Sequence, residues 1–231
     1  MTIFNPTNAQ ISTPDAWEQA YLRFETPEDE VRKFIERLER LGATRWSKEA
    51  RIVELFCGRG NGLRAWERLG FHDVEGVDLS PRLIAEYDGP ARCYVADCRH
   101  LPFPEGSKYA VAVQGGLHHL PRLPEDLDQT FAEIRRILVG NGRVLFVEPW
   151  LTPFLRIVHY VTARQFMRKL FPKLDALSTM IEYERATYEQ WLARPKLISG
   201  LALKYFEAFH ESVAFGKWNF VGKPRSYPEQ P

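Results

Sequence analysis

Charge imbalance is the first thing missing from this chain. Its 31 lysines and arginines meet 30 aspartates and glutamates, a net charge of +1 at pH 7. That balance lacks the basic footprint of a nucleic-acid binder, so nucleic acid is not an expected partner. Long apolar runs are missing too, and no stretch reaches the roughly 18 residues of a membrane-spanning helix. Cysteine is scarce: Cys57, Cys93 and Cys98 are an odd number for a disulfide framework. Their intervals form no CxxC pair, and adding His118 and His119 gives no recognised ligand spacing. No metal is therefore expected, and the thiols read as buried packing groups near the site. The opening MTIFNPTNAQ carries no basic-plus-apolar leader, which points to a reducing cytoplasm. Neither an internal repeat nor a low-complexity segment is present. What is there, 231 residues with 45% hydrophobic content, suffices for one sizeable core and a single domain spanning 1–231.

Residues 1–13 read as loosely ordered, followed by a helix over Pro14 to Leu22. A second helix starts at Thr26 as N-cap, with Pro27 in its first turn and Glu28 and Asp29 at the positive dipole end; Gly42 closes it. Val31, Phe34, Ile35, Leu38 and Leu41 recur at helical spacing and give it one buried face. From Arg51 the texture changes to short apolar runs alternating with helical patterns, which predicts βαβ units on a parallel sheet. The predicted strands are Arg51 to Phe56, Asp73 to Val77, Ala91 to Val95, Ala110 to Gln114 and Gly142 to Glu148. Between them lie helices over Asn61 to Leu69, Pro81 to Tyr87, Gly116 to His119 (or a longer turn) and Glu125 to Leu138. Gly140, Asn141 and Gly142 are expected to end the last helix and turn the chain into the fifth strand.

Within this frame, VELFCGRGNG (53–62) ends a strand, makes a turn on Gly58, Gly60 and Gly62, and opens a helix at Asn61. Bare backbone lets a ligand approach to van der Waals distance, and the helix start offers unpaired N–H donors. Gly60, Gly62 and Ala65 fit the dinucleotide pattern, with Asp78 following Gly60 by 18 positions, so NAD is one candidate. S-adenosylmethionine is the other.

Four segments decide between them. Glu54-Leu55-Phe56-Cys57-Gly58-Arg59-Gly60, Val77-Asp78-Leu79-Ser80, Ala96-Asp97-Cys98-Arg99-His100-Leu101-Pro102-Phe103-Pro104 and Gln114-Gly115-Gly116-Leu117-His118-His119-Leu120 stand in order. Together, over Arg51 to Trp150, they resemble the class I S-adenosylmethionine-dependent methyltransferases, especially the small-molecule branch with a DxGCGxG loop and an LPFPDGSFD segment. The resemblance implies an α/β, Rossmann-like fold: a seven-stranded, mostly parallel sheet whose sixth and seventh strands form an antiparallel hairpin. It implies S-adenosylmethionine as cofactor, held by Glu54, Phe56, Gly58, Gly60, Asn61, Asp78, Leu79, Asp97, Cys98 and Gln114. In that arrangement Asp78 takes the ribose hydroxyls, Glu54 meets the ammonium directly or through water, and Asp97 with the Cys98 backbone N–H takes the adenine. A carboxylate suits a pair of hydroxyls because it accepts only, at several lone-pair positions.

The pattern departs from the family in two places. Phe56 replaces the loop's first glycine, and Lys108-Tyr109 replaces the usual Phe-Asp before the fourth strand. Variants reading LFCG occur in nucleic-acid methyltransferases, but no PPY follows the fourth strand and no Pro-Cys loop is present.

Methyl transfer asks for alignment, exclusion of water and, for a hydroxyl acceptor, a base. His118 and His119 are the candidates, one as base and the other as packing or cap, with the choice between them open; Glu148 and His159 stand behind them, and His100 reads as a loop residue. Thus the chain divides into a helical extension (1–47), a cofactor-binding core (48–150), a cap insertion (151–205) and a terminal hairpin (206–222). The cap is aromatic, and between Thr152 and Leu174 it carries Arg156, Arg164, Arg168, Lys169 and Lys173 without an acid. An ordinary solvated helix pair is the expected reading, ahead of contact with an anionic acceptor or membrane. The expected activity is methyl transfer to an oxygen or nitrogen of a small molecule. An NAD-dependent oxidoreductase and a non-catalytic cofactor-binding partner subunit are the alternatives.

Overall fold

The computed structural model describes residues 2–3, 15–162, 164, 166 and 171–226. A two-residue strand, β1 (Thr2–Ile3), and helices α1 (Asp15–Phe24) and α2 (Pro27–Arg40) come before the main strands of the sheet. As the sequence predicts, the Thr26 side chain caps α2 by accepting from the Asp29 N–H. Gly42, just past the end of α2, takes the left-handed conformation (φ 79°).

Strands β2 (Ile52–Leu55), β3 (Val74–Asp78), β4 (Arg92–Val95), β5 (Lys108–Gln114) and β6 (Leu138–Pro149) pair in parallel. Helices α3 (Asn61–Arg68), α4 (Pro81–Ile84) and α5 (Glu125–Ile137) connect them, with a single 3₁₀ turn, Leu117–His119, after β5. Both faces of the sheet are buried, so side chains alternate between two cores. Val53, Leu55, Val111, Val113 and Phe146 face the first. Ile52, Ala110, Ala112, Leu145 and Val147 face the second, under α2 and α3. The hairpin β7 (Phe206–Ala214) and β8 (Lys217–Pro224) adds two antiparallel strands beside β6. Phe131, Phe146, Phe206, Phe220 and Trp218 are fully buried there, each contributing about 1.5–3 kcal/mol of apolar burial.

The order is β1-β4-β3-β2-β5-β6-β8-β7. It contains the seven expected strands plus β1, an edge strand parallel to β4 where loose chain was expected; the rest of that stretch, residue 1 and 4–13, lies outside the described residues. A second difference concerns Gly140-Asn141-Gly142. These glycines do not stop α5, which already ends at Ile137; instead 138–149 is one strand whose register slips between the Lys108 and Ala110 pairings. The glycines accommodate a bulge, which the same residue types serve as readily as a turn. Helix α4 also stops three residues short of the expected Tyr87. Among the described residues the cap holds α6 (Pro153–Thr162), α7 (Pro172–Leu192) and α8 (Pro195–Tyr205). Arg168 and Lys169, counted among its cations, lie outside the described residues.

Candidate cofactor and active site

The carboxyl ends of β2, β3 and β5 bring most of the expected residues together. Phe56 leaves β2 with φ 57° and Gly58 follows with φ 52°. Phe56 therefore keeps the left-handed bend that its missing glycine would make, at a cost of about 1–2 kcal/mol for a residue with a Cβ. Its ring fills the space beside Gly116, where an added Cβ would stand 2.2 Å from the ring. Nothing lies within 4 Å of a Cβ built on Gly58, so the turn opens onto free volume.

Glu54 lies beneath the first turn of α3. Its carboxylate accepts from Trp66 Nε1 at 2.8 Å, and a Cβ on Gly62 would fall 1.7 Å from its Oε1. Burial, with Glu30 adding repulsion, pushes its pKa up to about 8, the Trp66 bond opposing. At the start of α3, Asn61 Nδ2 donates to Glu30 Oε2 at 2.6 Å and ties α3 to α2.

Asp78 joins two strand ends. Its Oδ2 accepts from the Gly58 N–H at 2.9 Å and its Oδ1 from the Ser80 N–H at 2.8 Å, which fixes both oxygens at the rim of the turn, with half-buried Leu79 beside it. Asp97, after β4, is gripped by Arg99, whose Nε lies 3.0 Å from Oδ1 and whose Nη2 lies 2.6 Å from Oδ2. Arg99 in turn reaches Asp126 of α5 at 2.9 Å. Burial works against the Asp97 charge, but the Arg99 hydrogen bonds outweigh it and hold the carboxyl below its ordinary value. Cys98 turns its thiol inward, 3.5 Å from Thr130 Oγ1, and burial lifts its pKa to about 12. All three cysteines are free and buried.

Three buried donors at this edge have no partner among the described residues: Arg59 Nε, Arg59 Nη2 and Gln114 Nε2. Arg59 sits in the turn after β2 with its guanidinium 4.4 Å over the Tyr21 ring. Gln114 ends the adjacent strand β5, its Oε1 accepting from Arg37 Nη1 at 3.2 Å. An unsatisfied buried donor costs about 1–3 kcal/mol, so these three donors suit an acceptor. Arg59 stood in the quoted motif without a role in the sequence reading.

The histidines stand under the cap. Buried Glu148, at the end of β6, accepts from the backbone N–H groups of Gly116 and Leu117 at 2.8 and 2.9 Å. Its other oxygen lies 2.8 Å from His118 Nδ1. Burial disfavours the Glu148 charge, yet His118 and the two N–H groups together keep its pKa below the ordinary value. An ionised carboxylate only accepts, so His118 carries its proton on Nδ1 and leaves Nε2 facing α7. Nε2 lies 3.8 Å from Glu184 Oε2 of α7, and His119 Nδ1 lies 3.8 Å from Glu184 Oε1. For His118, burial lowers the pKa but Glu148 and Glu184 raise it further, for a net upward shift. Burial and then the charge of His118 press the pKa of His119 down. The two imidazoles and Glu184 offer ligand atoms within 4.8 Å of one another, a cluster hidden from sequence because Glu184 is 65 positions from His119. Of the other candidates, His159 bonds the Tyr188 hydroxyl at 3.2 Å. His100 is an exposed residue paired with Gln129.

Residues 53–146 match the family described as methyltransferase domain. That stretch is similar to a methyltransferase domain. The chain is 26% identical over 205 residues to the demethylmenaquinone methyltransferase of Thermus thermophilus, a match covering 79% of this chain and 90% of the relative. With the ubiquinone/menaquinone biosynthesis C-methyltransferase of Geobacter sulfurreducens it shares 26% identity over 137 residues, 54% of this chain and 52% of that one. A crystal structure of a Pyrococcus horikoshii protein shares the fold with a TM-score of 0.68 at 22% identity, covering 93% of this chain and 100% of the other. Two solved structures described as S-adenosylmethionine-dependent methyltransferases, from Methanococcus maripaludis and Methanosarcina mazei, share the fold at 12 and 16% identity with TM-scores of 0.60 and 0.53, and S-adenosylmethionine is the cofactor named for them. The residues present fit it: open volume above Gly58, acceptor oxygens on Asp78, and unpartnered donors on Arg59 and Gln114 suited to a carboxylate.

Proposed function

We propose that this methyltransferase alkylates a small hydroxylated aromatic acceptor of the quinol class, on a ring carbon or an oxygen, with His118 as the base. The relatives named for quinone methylation support the acceptor class and add carbon to the expected oxygen and nitrogen. The observation that carries the mechanism is the Glu148–His118 contact, which turns Nε2 toward Glu184 and the cap.

In this reading Asp78 holds the ribose, Arg59 and Gln114 meet the methionyl carboxylate, and the Asp97–Cys98 segment borders the adenine. Bound S-adenosylmethionine supplies a sulfonium-activated methyl group. His118 Nε2 takes the proton of the acceptor hydroxyl, and the pair left on oxygen raises electron density at that oxygen and at the ortho carbon. Glu148 stabilises the resulting imidazolium through Nδ1–H. For a carbon acceptor the displaced ring proton leaves afterwards, with Glu184 in position to receive it. Aromatic Tyr188, its ring 5.9 Å from the His118 ring, closes the site against water.

The test is labelled-methyl uptake from S-adenosylmethionine by a short-chain naphthoquinol, a simple phenol and an aryl amine, on the parent and on His118→Ala. The quinol is expected to be labelled by the parent and hardly at all by the variant, with chelator present or absent. Label on the amine alone, undiminished transfer by the variant, or activity lost to chelator and restored by a divalent cation would each overturn the reading. No product with any acceptor, despite cofactor binding, favours the non-catalytic subunit.

A further inference from the structure

The outer side of α6 has no counterpart in the chemistry above. Its sequence, PFLRIVHYVT, is apolar almost all round. Leu155 packs toward the hairpin, 3.3 Å from a Cβ built on Gly216. On the other side Phe154, Ile157 and Tyr160 are 51, 63 and 63% exposed, and Phe215 at the hairpin tip is 82% exposed. Phe154 and Phe215 meet edge to face at 6.1 Å, and Phe166 and Phe171 are exposed too. Helices apolar on every side are buried against something, and monomeric soluble proteins rarely leave so large an apolar patch in water.

Two further observations say what covers it. The segment from Thr152 to Leu174 holds five lysines and arginines and no acid; of these Arg156, Arg164 and Lys173 are described and exposed. Arg164 lies 4.6 Å over the Tyr160 ring, placing cation and aromatic at one level. The second observation is Phe215 itself. It takes φ 47° and Gly216 φ 75°, the two left-handed positions of a tight hairpin turn that asparagine-glycine suits best. A phenylalanine there is strained and adds little to the core, so its use is outward.

We propose that α6 and the β7–β8 tip form a docking surface for a bilayer carrying anionic lipids. Apolar rings enter the interface while Arg156 and Arg164 meet the headgroups, the arrangement of an interfacial amphipathic element. A second copy of the chain fits less well, because a two-fold contact through this face would set its cations against one another. The surface stands independently of the acceptor's identity.

The test is co-sedimentation of the full chain with phosphatidylcholine vesicles, with and without phosphatidylglycerol. The chain is expected to partition onto the anionic vesicles. Arg156→Gln with Arg164→Gln should weaken partition about thirtyfold, two cations near the surface at about 1 kcal/mol each. Ile157→Asp should lose it, and Phe215→Asn, which suits the turn, should raise the melting temperature while weakening partition. Absence of partition by the parent, or equal partition by these folded variants, overturns the proposal. So does a parent dimer that Ile157→Asp splits without any vesicle binding.

Discussion

Glu148→Gln separates the positioning of His118 from the packing of the site. Glutamine matches glutamate in shape, and its carbonyl can keep the hydrogen bonds from the Gly116 and Leu117 N–H groups now made at 2.8 and 2.9 Å. Its amide NH₂ then faces His118 Nδ1, a donor against a donor, and the ring relieves the clash by moving its proton to Nε2. The lone pair that should take the acceptor's proton is thereby pointed at the substituted amide instead of at the substrate. Losing a general base costs about 10²–10⁴ in rate, so kcat should fall in that range. The folded state should lose about 1–1.5 kcal/mol, the difference between a hydrogen bond to a charged group and a neutral one. Sign matters for pH: Glu148 and Glu184 raise the His118 pKa against the lowering by burial, and activity needs the neutral ring. Parent activity therefore rises with pH through that raised pKa, and the residual activity of the variant should rise at lower pH. Methyl transfer followed from pH 5 to 9, with urea denaturation as the stability control, reads both effects; those limits bracket the usual histidine range at about two units either side. A folded variant with kcat near that of the parent and an unmoved acid limb refutes the reasoning.

The turn after β2 offers two further perturbations. Gly62→Ala would place a Cβ 1.7 Å from Glu54 Oε1; overpacking of this kind costs about 1–3 kcal/mol, to be read from the denaturant midpoint, and an unchanged midpoint contradicts the close approach. Glu54→Gln removes an acid whose folded pKa is raised from 4.5 to about 8. Such a group favours folding when protonated, and that contribution, present below the unfolded pKa, is lost as pH rises through the folded one, by up to about 1.4 kcal/mol per pH unit. The variant's melting temperature should accordingly decline less than the parent's across that window, and parallel declines would exclude a raised Glu54 pKa.

The core strands were legible because a parallel sheet buried on both faces writes itself as short apolar runs, Val53 to Leu55 and Val111 to Val113 among them. Asp78 and Gly58 were legible as motif positions, and the hydrogen bond between them follows from adjacent strand ends. Gly140 to Gly142 misled because glycine and asparagine serve a bulge, a helix stop and a turn alike. Phe56 concealed a left-handed bend behind a side chain that ordinarily avoids one. Glu184 could not be read at all: it lies on a long helix without a distinguishing pattern, and only tertiary packing of α7 against the 117–119 turn brings it to the histidines. Glu148 was visible only as an acid at a strand end, its three donors being supplied by a loop some thirty residues earlier.

The central claim, that the cofactor lies over the Gly58 turn with its ribose on Asp78, is tested most directly by thermal shift with S-adenosylmethionine on the parent and on Asp78→Ala. At 100-fold over the dissociation constant the ligand should stabilise the parent by about 2.7 kcal/mol, a rise of roughly 5–10 °C for a chain of this size, and should leave the folded variant nearly unmoved. An equal rise in both, or none in the parent, contradicts the account.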